Sequence, residues 1–184
     1  MRSCAAPRNS FALTWRPIRK KFLTTCPRFS IICTSNEGVP MKFVVKLKAK
    51  SVWTMRKRAL IRDALEYANC HLELYNFDFP VHIRLSGEKY SPGLCCDLGD
   101  RLVIKVSGNQ PDQEIVETLF HELTHARQYA NCDLDDIDEN ACWWQGHQYR
   151  GNFDDTESKD YWNAPWEVEA RQVGEELRKN YYQI

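Results

Sequence analysis

Gln113-Glu114-Ile115-Val116-Glu117-Thr118-Leu119-Phe120-His121-Glu122-Leu123-Thr124-His125-Ala126-Arg127-Gln128-Tyr129-Ala130 is the most regular stretch of the chain. Ile115, Leu119, Leu123, Ala126 and Ala130 recur three or four residues apart, which marks one buried stripe of an amphipathic helix. Ser107-Gly108-Asn109-Gln110-Pro111-Asp112 reads as the loop before it, with Asn109 or Asp112 as the cap and Pro111 in the first turn. Inside the helix stands His121-Glu122-Leu123-Thr124-His125, an HExxH pattern. Residues four apart are neighbours on one helix face, so both imidazoles can reach a single cation. Zinc takes neutral imidazole nitrogen at about 2.0–2.1 Å. Glu122 then lies beside the metal rather than on it. From there it can take a proton from zinc-bound water, whose pKa falls toward about 7, and pass it to a leaving amine.

The bland alternative is a polar helix that happens to carry two histidines. Context argues against it. Thr118, Leu119 and Phe120 before the motif and Leu123 and Thr124 within it are all uncharged, and the motif lies in a helix with its own core stripe. The expectation is therefore a zinc site on His121 and His125, with Glu122 as general base.

A catalytic zinc usually has three protein ligands and one open position. His147, Glu167 and Glu169 follow downstream as candidates. Ala164-Pro165 opens a last helix, to about Asn180, whose apolar side is Trp166, Ala170, Val173, Leu177 and Tyr181. At ~100° per residue Glu167 and Glu169 both fall at the margins of that side, so helical phase does not choose between them. Glu167 also stands four residues before Arg171, the spacing of a surface ion pair.

The chain resembles the minimal gluzincins, compact zinc peptidase domains with an HExxH helix and a later helix that gives a glutamate. The resemblance rests on His121-Glu122-Leu123-Thr124-His125 and on Pro165-Trp166-Glu167-Val168-Glu169-Ala170-Arg171. The second segment is similar to the glutamate-x-x-alanine pattern of the ImmA/IrrE group. It also looks like small phage-encoded metallopeptidase-like proteins, in which a Trp/Gly/Tyr segment, here Trp144, Gly146 and Tyr149, precedes it. The resemblance spans Lys42 to Gln183 in layout and implies Glu167 as third ligand. It departs from ImmA/IrrE in the longer connection from His125 to Glu167 and in lacking a helix-turn-helix region, so that group's repressor-cleaving role is not carried over. The fold it implies is α+β and zincin-like: a small mixed sheet, an N-terminal helix, the HExxH helix and a C-terminal glutamate-bearing helix.

Such a site would hydrolyse a peptide bond in a protein or peptide substrate. The developing oxyanion needs a further donor, and Tyr161, Tyr149 and His147 lie between the ligand segments, with Tyr161 the first choice. Two other readings compete. One is a protease of DNA-associated proteins resembling the SprT group, with His147 as third ligand. That group's HG-containing ligand pattern is absent. The other is a zinc-stabilised structural or regulatory binding protein without turnover.

The remaining sequence is read around this core. Lys42–Lys48 alternates apolar and basic residues like a strand, Trp53–Leu74 has helical periodicity, and Phe79–Leu85 is a short β run. Gly93–Cys96 and Arg101–Val106 flank Asp97-Leu98-Gly99-Asp100 as a hairpin. The second of these strands is expected at a sheet edge, where an extended substrate can add to it. Asn131–Asn163 reads as a long polar connection whose acidic run, Asp133 to Glu139, is a solvated loop. It lacks the loop glycine and terminal glutamate of an EF-hand. Trp143-Trp144 is expected to pack over the zinc helix.

Residues 1–36 hold seven of the chain's 25 basic residues and no acid, so the remainder carries 18 bases against 25 acids, net −7. An acidic body disfavours binding to a nucleic-acid backbone. Residues 1–40 read as a separate basic extension: an upstream segment before a start at Met41, an organellar transit peptide, or a disordered tail. Residues 41–184 form the single domain. The eight cysteines include an adjacent pair, Cys95-Cys96, and no CxxC. They suggest free thiols in a reducing cytoplasmic or intracellular compartment, with no apolar run long enough for a membrane.

Overall fold

The computed structural model describes residues 43–46, 52–76, 80–86, 92–138, 140–153 and 155–183. The basic stretch 1–40 and its boundary at Met41 lie outside them. The fold is α+β. Strand β1 (Phe43–Lys46) and strand β2 (Val81–Ser86) pair in parallel, and helix α1 (Val52–His71) lies between them in sequence. Parallel neighbours need a crossover of a dozen or more residues, and the helix provides it. The expected hairpin is present as β3 (Gly93–Asp97) and β4 (Leu102–Ser107), antiparallel, with Cys95 opposite Ile104.

β4 also pairs in parallel with β2, so the sheet order is β1-β2-β4-β3 and the sheet is mixed. This corrects the expectation for Arg101–Val106. The strand is interior, bonded on both sides, and Leu102, Val103, Ile104 and Val106 are all buried. A near-continuous apolar run is what a strand covered on both faces requires. Of the two hairpin strands, β3 is the one at an end of the sheet.

Helix α2 (Asp112–Ala130) packs against β3 and β4 and buries its whole expected stripe. Neither Asn109 nor Asp112 caps it. Pro111 occupies the cap position, and it has no side-chain oxygen to offer the first amides. The loop before it is held from α1 instead: buried Lys57 donates from Nζ to the carbonyls of Gly108 and Gln110, both at 2.7 Å.

The connection Asn131–Asn163 is structured, contrary to expectation. It forms a second, antiparallel sheet of β5 (Leu134–Asp138), β6 (Ala141–Trp144) and β7 (His147–Arg150), followed by a short helix α3 (Lys159–Asn163). The acidic run is thus a strand, with Asp135 and Asp136 buried. Asp136 tolerates burial because the Tyr129 hydroxyl donates to its carboxylate, 3.1 and 3.0 Å from the two oxygens. Trp144 packs against Trp166, ring centroids 6.3 Å apart, beside the start of the last helix.

That helix, α4 (Pro165–Gln183), packs along α2. The approach is close at Gly174, where a Cβ would stand 3.1 Å from the backbone nitrogen of His121. Away from this point Tyr67 of α1, Phe120 of α2 and Tyr181 of α4 bring their rings together at centroid distances of 5.3 to 5.9 Å. Cys96 and Cys132 are disulfide-bonded, which corrects the expectation of free thiols throughout, while Cys70, Cys95 and Cys142 are free. Among the described residues no helix is long and apolar enough to cross a membrane.

Candidate metal centre

His121 and His125 stand one turn apart on α2, both buried. Their Nε2 atoms face each other at 3.0 Å. Glu167, in the first turn of α4, fits between them: Oε2 is 3.4 Å from His121 Nε2, and Oε1 is 3.3 Å from His125 Nε2. Three donors bound to one zinc at tetrahedral angles would lie about 3.3 Å from one another, given bonds of about 2.0–2.1 Å. The two histidine nitrogens, 3.0 Å apart, are close to that edge length, and Glu167 offers a different oxygen to each of them, at 3.4 and 3.3 Å. Two imidazoles and a carboxylate are the donor types zinc accepts, and no other such cluster occurs among the described residues.

The electrostatics point the same way. Burial lowers His121 to about 4, so it is neutral near pH 7. Burial also acts to lower His125, but the Glu167 carboxylate outweighs it and brings His125 up to about 9. Glu167 is opposed by burial and held well below the usual carboxylate range by the two imidazoles. The trio therefore holds one proton on His125, balanced by the Glu167 carboxylate, and a cation bound there would displace that proton.

Glu122 behaves differently. It is 0% exposed, and neither of its carboxylate oxygens has a hydrogen-bond partner among the described residues. Burial pushes it up to about 8, against the opposing pull of His125. Gly93 of β3 makes this position possible: a Cβ there would stand 2.5 Å from Glu122 Oε1 and 2.5 Å from Thr118 Cγ2. Glu122, His125 and Glu167 line a cavity of about 40 Å³, together with Tyr161, Leu94 and Trp166. That volume holds an ion and one or two waters.

The other expected residues fall into place around this. Tyr161 of α3 is on the cavity wall near Glu167; burial and that carboxylate raise its hydroxyl, so it stays protonated. Tyr149 is on β7 and packs its ring against Trp166 at 5.7 Å, outside the cavity. His147 is exposed on β7 and is not part of the donor cluster. Glu169 is not in the cluster either. Its Oε2 accepts from Gln128 Nε2 at 2.7 Å and its Oε1 from Arg127 at 3.1 Å. Arg171 lies 3.9 Å from Glu167 Oε2, so the four-residue ion pair is present on the same carboxylate that faces the two histidines.

Sequence reasoning passed over Gly93, Gly174 and Gln128. A glycine in the interior of a helix is a signal in itself, because it costs about 1 kcal/mol against alanine and implies a packing reason. Gln128 falls three residues after His125, on the same helix face. No family model, curated protein or solved structure matches the chain.

Proposed function

We propose that this chain is a zinc-dependent hydrolase of peptide bonds, built on a minimal zincin-like domain. The ion is held by His121, His125 and Glu167, and Glu122 serves as general base. One observation carries the reading: a cluster of two imidazoles and a carboxylate, drawn from two helices, stands beside a buried carboxylate that has no hydrogen-bond partner among the described residues. Bound there, a divalent zinc ion supplies Lewis acidity and lowers the pKa of a coordinated water.

The chain's own groups do the rest. Glu122 lines the cavity and has a pKa of about 8, so it takes a proton from the attacking water and retains it long enough to deliver it to the leaving amine. Gly93 leaves room for that carboxylate. Tyr161, protonated and on the same wall, is the donor for charge developing on the carbonyl oxygen. Leu94 and Trp166 exclude bulk water, which strengthens each of these interactions.

The test is metal analysis joined to an assay. The purified chain, loaded with zinc and dialysed, should hold about one ion, and single alanine substitutions of His121, His125 or Glu167 should weaken binding by roughly 100-fold or more. Wild-type protein should cleave generic peptides and lose that activity on chelation. Full occupancy in a doubly substituted His121→Ala, His125→Ala protein would overturn the site, and zinc-loaded protein without turnover on any peptide library would overturn the activity.

A further inference from the structure

The geometry points to Gln128 and Glu169 as positioning residues that decide which nitrogen of His125 faces the ion, an inference that rests on the metal centre proposed above. Gln128 is almost fully buried between α2 and α4. Its Nε2 lies 2.7 Å from Glu169 Oε2 and 3.1 Å from the Trp166 carbonyl. Both partners only accept hydrogen bonds, so the amide nitrogen must occupy that side. The carboxamide is thereby locked, with Oε1 turned toward His125 Nδ1 at 2.7 Å.

An amide oxygen also only accepts, so Nδ1 must carry a hydrogen. A neutral imidazole with its hydrogen on Nδ1 has its lone pair on Nε2. That is the atom 3.0 Å from His121 Nε2 and 3.3 Å from Glu167 Oε1. The chain of dependence thus runs from Glu169 through Gln128 to His125. Arg127 anchors its far end by donating to Glu169 Oε1 at 3.1 Å. The Glu169 carboxylate also polarises the amide and makes its oxygen a stronger acceptor, which raises the basicity of the ligand nitrogen. The two glutamates of α4 serve one ion by different routes, Glu167 as a donor and Glu169 at two removes.

The experiment uses the full chain loaded with zinc and labelled with ¹⁵N-histidine. In wild type, NMR should show His125 bound through Nε2 with a slowly exchanging Nδ1–H. Gln128→Leu removes the acceptor: exchange of that hydrogen should quicken at least about tenfold, and chelator competition should show zinc held about 10–100-fold more weakly. Glu169→Gln leaves Gln128 in place and serves if the leucine variant does not fold. Its amide can present either end, so the lock loosens, and zinc should weaken by about threefold to tenfold with the same speeding of exchange. Folded variants that bind zinc within about twofold of wild type, with the Nδ1–H still protected, would overturn the inference while leaving the metal centre standing. Coordination of wild-type His125 through Nδ1 would overturn it as well. A wild-type chain that binds no zinc would overturn both.

Discussion

The two walls of the cavity treat a buried carboxylate in opposite ways. On the α4 wall, Glu167 is met by two imidazoles and approached by Arg171, and its pKa is depressed. On the β3 wall, Glu122 is met by the backbone of Gly93 and by no hydrogen-bond donor among the described residues, and its pKa rises to about 8. Both side chains are buried to nearly the same extent. Burial alone therefore does not set the chemistry; the partners do. A compensated carboxylate stays charged and can hold a cation, whereas an uncompensated one holds a proton and can trade it.

The contrast breaks most sharply at Glu122. Glu122→Gln should leave zinc occupancy at the wild-type level and lower kcat by about 10²–10⁴-fold, the range of a lost general base. Loss of zinc in this variant would mean that the two walls are not separate. A smaller effect is expected at Gly93→Ala. The added methyl competes for space with Glu122 Oε1, so kcat should fall by up to about 100-fold through misplacement of the base, with zinc affinity unchanged. Equal losses in kcat and zinc affinity would show that β3 supports the ligands too.

The smallest effect is on stability after chelation. Glu122 moves from an ordinary value of 4.5 to about 8 on folding. Between those values the folded chain keeps a proton that the unfolded chain releases, so stability present below pH 4.5 is lost as pH rises through about 8. His121 shifts the other way, from 6.5 to about 4, and offsets this at lower pH, so thermal melts of metal-free wild type should fall by a few degrees mainly above pH 6.5, up to about 8. In Glu122→Gln this fall should be smaller, and an identical slope in the two proteins would sever the link to Glu122.

The parts of this arrangement that sequence makes readable are those governed by short-range periodicity. Ile115, Leu119, Leu123, Ala126 and Ala130 announce the buried stripe of α2, and all are buried. The four-residue interval of His121 and His125 announces the shared face. The β3–β4 hairpin is marked by its turn. What could not be read depends on contacts between distant segments. Asp135 and Asp136 look solvated because acids usually are, and Tyr129, folded over from α2, helps make the burial of Asp136 tolerable. That local reading conceals β5 and, with it, the second sheet. The order of the first sheet sends β4 inside and β3 outside, which alternation within either strand does not reveal. Glu167 and Glu169 were separable only through the resemblance. Their difference arises where α4 crosses α2 and turns one glutamate to the histidines and the other to Gln128.

The meeting of Tyr67, Phe120 and Tyr181 has a consequence for how such a centre matures. These rings clasp α1, α2 and α4 with apolar contacts that need no ion. On the zinc reading proposed above, the donors would thus be mustered before any cofactor arrives, and an incoming ion would meet a ready-made socket. Stripping and reloading would then be a reversible exchange at a standing scaffold, unlike small zinc modules whose shape dissolves with their metal.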